Sequence, residues 1–327
     1  MMKEKIVKKV IVVVFFIFLI NFSYAIDYQK DQFKLTLNPH ILSGYLFSIE
    51  KQDNMTKRTN TFYIPRTYLD FKLEYENIFY GKVYFDIAGK DWYSYDLYVA
   101  LTPTKETEVR LGKFKQLLGY EVATSAHKVH FVEGSLISSL RSPVSTRDFG
   151  LGFFHKAKMF EINLNLVNGT GRTAPTDDNE WKDVSGRFIL KSIEKSFIGA
   201  NFYYGKKGVG EIRDLLPYLR LGLEAGYTKS PFTIIFEYLI GREEKEPVKK
   251  PTGFYGILGY QIDKIQPIFR FDFRKKDSNA NKEWGLTFGL NYFIYGDNLK
   301  VMPNIAYYKY AEKHTLMKLI FQLQGYF

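Results

Sequence analysis

The feature that most constrains the fold of this chain is a period-two alternation of apolar and polar residues, which recurs from about residue 33 onward. Residues 69–75 are typical, because Leu, Phe, Leu and Tyr alternate there with Asp, Lys and Glu. Successive side chains of a β-strand point to opposite faces, so each such segment predicts a strand with one apolar and one polar face. No long segment repeats with the helical period. The sequence therefore predicts an all-β protein.

The alternating segments and their connections form a regular series. We count sixteen segments, at residues 33–49, 60–75, 79–88, 92–102, 107–115, 148–157, 159–168, 183–193, 196–206, 217–227, 231–241, 251–262, 264–275, 283–294, 298–309 and 315–326. Short connections alternate with mostly longer ones, and the longer ones are residues 51–59, 89–91, 116–147, 169–182, 207–216, 242–250, 276–282 and 310–314. Transmembrane β-barrels have an even strand number, short turns at one end and longer loops at the other.

This series favours a transmembrane barrel over a soluble β-sandwich. A sandwich would hide its apolar faces in a core and would not need two classes of connection. Beyond the first 25 residues no stretch is apolar for long enough to form a spanning helix, so membrane residence must use strands. We predict a transmembrane antiparallel β-barrel of about sixteen strands, with fourteen and eighteen as alternative counts. Sixteen strands enclose a water-filled lumen.

The first 25 residues have the layout of a secretory signal peptide. Four lysines between Lys3 and Lys9 precede an apolar run from Ile11 to Ile20, and Ser23-Tyr24-Ala25 supplies small residues before the expected cleavage. The barrel is therefore expected to comprise residues 26–327. Removing four Lys and one Glu with the peptide lowers the formal net charge from +11 to +8.

Aromatic residues indicate where the barrel resides. The chain has 25 Tyr and 29 Phe, and barrels carry such rings as girdles at both membrane–water boundaries. Phe327 ends a strand in which Leu319, Phe321 and Leu323 share its face, which resembles the C-terminal signature of bacterial outer-membrane barrels, although Gly325 departs from it. We predict residence in the bacterial outer membrane, in contact with its lipid.

Two motifs resemble the phosphate-selective porin O and P family. The run Arg110–Glu121 (RLGKFKQLLGYE) is similar to a strand-exit motif of that family, and Phe131–Leu136 with Arg147–Gly150 is similar to a later segment. Leu117 and Gly134 depart from the usual Pro and Arg. The resemblance implies a homotrimer of sixteen-stranded barrels that takes up phosphate or other small anions. It also implies a third external loop, residues 116–147, that folds inward to narrow each pore.

Basic residues are the candidates for the field inside the pore, because rings of Arg or Lys favour anions. The candidate pore-lining and constriction residues are Arg110, Lys113, Lys115, Lys128, Arg141, Arg147, Arg187, Arg220, Arg270 and Arg274. The alternation of side chains along the strands also predicts that five further cations face the lumen, and these are Arg66, Lys72, Lys82, Lys191 and Lys318. Lys113 and Lys115 share parity with lipid-facing Leu111 and face inward only if a bulge or the strand end frees them.

Acidic residues share the inward parity and leave a second interpretation open. They are Asp70, Glu74, Asp86, Asp96, Glu161, Glu224, Glu237 and Asp272. Opposed acidic and basic groups are typical of a weakly selective general porin. We predict passive diffusion of small hydrophilic solutes that favours anions such as phosphate, with a general porin as the alternative.

Other functions fit the sequence less well. A barrel enzyme needs a Ser, His and acidic constellation on its wall, which the strands do not offer. A barrel adhesin would need bulkier loops. The chain has no Cys, and His127 and His130 would point apart on a strand, so we expect no metal site and no other cofactor. No feature suggests nucleic-acid binding or an enzyme.

Overall fold

A computed structural model describes residues 26–89, 93–142, 145–174, 176–177, 179–192, 194–209, 214–244 and 247–327. The predicted signal peptide lies outside these residues. Within them the chain forms seventeen strands, β1 (Ile26–Lys30), β2 (Phe33–Gln52), β3 (Met55–Tyr75), β4 (Phe79–Asp86), β5 (Tyr93–Thr104), β6 (Thr107–Lys115), β7 (Arg147–Lys156), β8 (Phe160–Val167), β9 (Asp183–Lys191), β10 (Ser196–Val209), β11 (Asp214–Tyr227), β12 (Phe232–Glu243), β13 (Thr252–Tyr260), β14 (Ile265–Lys275), β15 (Glu283–Tyr295), β16 (Leu299–Ala311) and β17 (His314–Tyr326). No helix in this part of the chain is long and apolar enough to cross a membrane.

Strands β2 to β17 form a closed barrel in which each strand pairs antiparallel with the next. The ring closes where β17 pairs with β2, from His314 opposite Gln52 to Tyr326 opposite His40. The predicted all-β barrel of sixteen antiparallel strands is therefore confirmed. Closure leaves no lateral sheet edge along the paired part of the wall.

Strand β1 was not predicted. It pairs with the first residues of β2, from Ile26 opposite Leu37 to Lys30 opposite Phe33. Strand β1 therefore pairs with the first residues of β2, which β17 does not reach. Five residues are too few for an alternation pattern to reveal, which is why the sequence interpretation began only at residue 33.

Two predicted external loops are wrong. Residues 51–59 belong to the ends of β2 and β3, which meet in a two-residue turn where Asp53 has φ of 52°. Residues 310–314 are likewise mostly strand, with only residues 312–313 between β16 and β17. The sequence misled because both hairpins become polar on both faces, which removes the alternation while leaving the hydrogen-bond ladder intact.

The two faces of the wall carry the predicted side chains. Leu97, Leu164, Leu221, Phe288 and Phe321 are 43–59% exposed, and they define the outer face. The alternate positions are buried and define the inner face; they include Arg220, Glu224, Arg270 and Asp272. Phe271 pairs with Leu286, two residues before Phe288, so the predicted register of β14 and β15 holds.

Candidate pore

The longest connection between strands, residues 116–146, is called the long loop below. It contains α1 (Tyr120–Ala123) and two 3₁₀ turns, Ala126–Lys128 and Leu136–Leu140. Arg147 is the first residue of β7 and not the last residue of the loop. Gly119 has φ of 87°, and a Cβ there would collide with the Glu237 carboxylate. The loop therefore needs glycine where it turns beside the wall.

Apolar side chains of the long loop pack against inner-face residues of β12, β13 and β14. Phe131, Ile137 and Leu140 are buried in one cluster with wall residues Ile235, Leu239, Tyr255, Ile257 and Ile268. Burying a side chain of this size stabilises the packed arrangement by about 1.5–3 kcal/mol. These contacts mean that the loop is not a disordered connection.

Aromatic contacts trace the loop to the end of the barrel where the short turns lie. Tyr120 stacks on Phe197 near the start of β10, with ring centroids 5.6 Å apart. His127 stacks on Tyr326 at the end of β17, with a centroid distance of 4.1 Å. Gln324 donates a hydrogen bond to the His127 carbonyl (2.7 Å). The loop therefore starts and ends beside one rim and contacts the wall near the other.

Three arginines predicted to line the pore bind the backbone of the long loop. Arg220 donates to the Leu140 carbonyl (2.6 Å). Arg270 donates to the Glu133 carbonyl (2.9 Å), and Arg274 donates to the Leu136 carbonyl (3.0 Å). The same three guanidinium groups pair with Glu243, Asp272 and Glu283 respectively. Their charges are therefore compensated, and their hydrogen bonds hold the loop.

Arg141 is the most enclosed of the predicted residues. Its side chain is unexposed, pairs with unexposed Glu237 on β12, and also lies 3.3 Å from Glu121 of the loop. Burial alone would lower the pKa of Arg141, but the carboxylates of Glu237 and Glu121 raise it above its usual value. Burial would raise the pKa of Glu121, yet Arg141 and Arg270 lower it. The contact between Arg141 and Glu237 therefore ties the end of the loop to the wall.

The wall from β3 to β9 borders a cavity of about 1000 Å³ near the short-turn end. Lys72, Tyr80, Arg110, Phe154 and Arg187 line it together with Leu117 and Ala123 of the long loop. Arg110 lies 3.8 Å from the Phe154 ring centroid and pairs with Glu108. Arg187 donates two hydrogen bonds to Glu224 (2.8 and 2.7 Å). The cavity surface is charged but nearly balanced.

Of the remaining predicted cations, Arg147, Lys115 and Lys113 lie near the other rim. Arg147 pairs with Asp96 (2.9 Å). Lys115 donates to the Thr124 carbonyl of the loop (3.3 Å). Lys113 is buried and donates to the Ser94 hydroxyl (2.7 Å). Lys128 is exposed and follows His127, which contacts Tyr326 near the short-turn rim.

Arg66 was predicted to face inward, but it was not among the candidate constriction residues. Its side chain is exposed on the inner face and donates to the Tyr68 hydroxyl (3.0 Å). In the described part of the chain no carboxylate oxygen lies within 4.0 Å of Arg66 or Lys115. Lys115 is close enough to Arg66 to feel its charge, and it also feels the charges of Arg147, Lys82 and Asp96. The alternation along β3 places Arg66 on the inner face, but only the structure shows that, among the described residues, it lacks the carboxylate partner that the candidate arginines have.

Comparisons with known proteins agree with this architecture. Residues 80–320 match a family model described as putative beta-barrel porin-2, OmpL-like. No curated protein sequence matches the chain. The solved structures it is similar to include an anion-selective porin from Comamonas acidovorans, which has a TM-score of 0.71 and 10% identity and covers 90% of this chain and 100% of that one.

Two further similar structures come from other bacteria. The outer membrane channel DcaP of Acinetobacter baumannii has a TM-score of 0.68 and 10% identity, with 91% of this chain and 99% of that chain covered. The trimer form of in-vitro folded OmpT, an outer membrane protein of Vibrio cholerae, has a TM-score of 0.63 and 11% identity, with 90% and 100% covered. At these identities the similarity concerns the fold.

Proposed function

The chain belongs to the putative beta-barrel porin-2, OmpL-like family, and from this premise we propose that it is a water-filled channel through which small hydrophilic solutes diffuse passively, with a weak preference for anions. Its location is the bacterial outer membrane, where porins of this architecture reside. Delivery there would use residues 1–25 as a cleaved signal peptide.

The observation that carries the proposal is the division of the inner face into two halves. The long loop covers inner-face residues of β11 to β17, through contacts such as Arg220 with Leu140 and Gln324 with His127. The charged wall from β3 to β9 borders the open cavity. A sixteen-stranded barrel is wide enough to leave an aqueous passage beside such a loop. The long loop would then be the constriction, and solutes would pass along β3 to β9.

Ion pairing decides how strongly the channel selects. Seven of the ten predicted cations have a carboxylate partner, and they are Arg110, Arg141, Arg147, Arg187, Arg220, Arg270 and Arg274. Strong phosphate selectivity would need several cations free to coordinate one anion. The pairing therefore supports a weakly selective channel over a phosphate-selective one.

Arg66 is the cation that would bias the passage, because its side chain is exposed on the inner face and has no carboxylate partner among the described residues. In a water-filled lumen, one unit charge about 8 Å from an ion contributes roughly 0.5 kcal/mol. Screening at about 0.1 M salt halves this energy, and its sign reverses between anion and cation. Arg66 then favours an anion by roughly twofold, which predicts a chloride-to-potassium permeability ratio of about two.

The sequence resemblance and the trimer form of one similar structure support a homotrimer of such channels. Each barrel would conduct by itself, because the passage described above lies within one chain. Conductance in planar bilayers should then show three steps of equal size when one assembly inserts.

A loop deletion tests the channel and its constriction together. Removing residues 124–133 should raise single-channel conductance several-fold, because the part of the loop that crosses to the far wall is lost. The matched control is removal of residues 277–281 from the loop between β14 and β15, which should leave conductance unchanged. Wild-type protein without conductance steps would overturn the channel. Unchanged conductance in the 124–133 deletion would overturn only the role of the loop.

A further inference from the structure

The outer face of β15 and β16 carries an aromatic pair near the rim of the long loop. The Trp284 and Tyr307 rings lie 5.5 Å apart, and Trp284 is the second residue of β15 after the connection 276–282. Trp and Tyr prefer the membrane–water interface, where the lipid headgroups lie. This pair therefore marks the headgroup level on this side of the barrel.

The same level holds two lysines on the outer face. Trp284 is paired with Lys309 on β16, Lys309 with Thr315 on β17, and Thr315 with Lys51 on β2. Neighbouring strands lie about 4.8 Å apart, so the Cα atoms of Lys51 and Lys309 are about 10 Å apart with the Thr315 hydroxyl between them. Lys51 is exposed and Lys309 is half-buried.

Arg58 adds a third cation to this surface. It lies on the outer face of β3 beside Ile49 of β2, which is paired with Met317 of β17. Met317 in turn is paired with Tyr307. Met317 and Tyr307 are 48% and 38% exposed. The cations therefore border an exposed apolar strip, and we call Lys51, Arg58, Lys309 and Thr315 the rim cluster.

Some other cations at this rim are neutralised by a carboxylate partner, whereas those of the rim cluster are not. Arg242 pairs with Glu244, Lys182 with Asp177, and Lys276 with Glu283. Over the described ranges, no carboxylate oxygen lies within 4.0 Å of the three cations of the rim cluster.

Nearby acidic side chains do not offset the charge of the rim cluster. Glu50 lies on the inner face and binds His314 (2.8 Å). Asp53 and Glu312 are in the exposed turns at the tips of the hairpins. The outer face here keeps three unneutralised positive charges at the headgroup level.

We propose that the rim cluster binds the phosphate groups of a phosphorylated lipid in the outer leaflet. The cations and the Thr315 hydroxyl would contact phosphate oxygens, and the acyl chains would lie along Ile49, Met317 and Tyr307. Clusters of Lys and Arg at the headgroup level attract anionic lipids in this way. The apolar strip selects a lipid over free phosphate, because inorganic phosphate has no group to bury there. This inference concerns the outer face and is independent of the pore.

Binding of lipopolysaccharide to the detergent-purified full chain tests the proposal. The triple variant Lys51→Gln, Arg58→Gln, Lys309→Gln should bind at least tenfold more weakly than the wild type, and about a hundredfold more weakly if each cation contributes its full share. The matched control is Lys105→Gln, Lys158→Gln, Lys264→Gln, which removes the same charge from exposed turns at the opposite rim. The control should change binding less than twofold.

Two further arms separate the source of the phosphate. Lipopolysaccharide stripped of its phosphates should bind as weakly as the triple variant, whereas inorganic phosphate at millimolar concentration should compete little. Equal losses in the two triple variants, or full binding of the stripped glycolipid, would overturn the proposal. Conductance of the rim variant in bilayers without lipopolysaccharide should match the wild type. A protein that binds the glycolipid but shows no conductance would contradict the channel and leave the rim cluster standing.

Discussion

Replacing Arg141 with Gln should release one end of the long loop from the wall. The Arg141 guanidinium pairs with two carboxylates, Glu237 on β12 and Glu121 within the loop. Neither the Arg141 nor the Glu237 side chain is exposed. Glutamine keeps part of the length and the ability to donate, but it leaves the Glu237 carboxylate buried without a neutralising charge.

The size of the effect follows from the burial of the pair. Removing one partner of a buried ion pair destabilises the surrounding structure by about 3–5 kcal/mol. Tyr255 still donates a hydrogen bond to Glu237 (2.8 Å), so we expect the lower end of that range. About 3 kcal/mol raises the ratio of released to docked loop roughly a hundredfold. The strand ladder is not touched, so the barrel itself should remain folded.

Single-channel recordings and limited trypsin digestion measure the release. The Arg141→Gln channel should show larger open-current noise and faster cleavage after Lys128 than the wild type. The matched control is Arg242→Gln, whose pair with Glu244 is exposed and worth at most about 1 kcal/mol. A double change to Arg141→Met and Glu237→Leu should restore quiet currents, because Glu237 no longer leaves an unpaired buried charge and Glu121 keeps Arg270 as a partner. Wild-type noise and cleavage in Arg141→Gln would refute this reasoning.

The remaining predictions concern selectivity and pH. Arg66→Glu should shift the chloride-to-potassium permeability ratio about fourfold toward potassium, because the charge beside the passage changes by two units. Arg242→Glu is the control. If Arg66→Glu leaves the reversal potential unchanged, Arg66 does not lie beside the passage. Burial, with a contribution from Lys300, lowers the pKa of His130 to about 4, against about 6.5 when unfolded. As the pH falls from 6.5 to 4, His130 is protonated in a released loop but stays neutral in the docked loop. The free energy of docking therefore weakens by up to about 3 kcal/mol. Open-current noise should rise across this pH window in the wild type and rise less in His130→Gln. The pKa of Glu121 is lowered, so the contribution of Glu121 to loop docking is lost only below about pH 4.5.

The wall of the barrel was predictable because side-chain direction in a strand is local. Phe271 and its neighbours Arg270 and Asp272 alternate along the sequence, and they lie on opposite faces of β14. The same parity assigned Arg66 correctly without any knowledge of its neighbours. Where both faces are polar, as around Asp53, alternation disappears and the strand cannot be recognised by this signal.

The contents of the pore were less predictable because they depend on the path of the long loop. Arg220 binds the carbonyl of Leu140, 80 positions away along the chain. Nothing in the local pattern around either residue indicates that contact. Parity states which face a guanidinium group occupies, but not whether water, a carboxylate or a loop carbonyl meets it. Most of the predicted selectivity residues therefore have a structural role that only tertiary structure reveals.

The pairing of β17 with β2 has a consequence for how the barrel assembles. Each other neighbour in the ring is the next strand along the sequence, whereas this junction joins residues from near opposite ends, such as Tyr326 and His40. Contacts between residues so distant in sequence form slowly, because a long stretch of chain must be ordered first. Until the junction forms, β2 and β17 both present unpaired backbone groups that cannot face lipid. The nascent wall must therefore be shielded along this seam by assembly machinery until its last strand is in register.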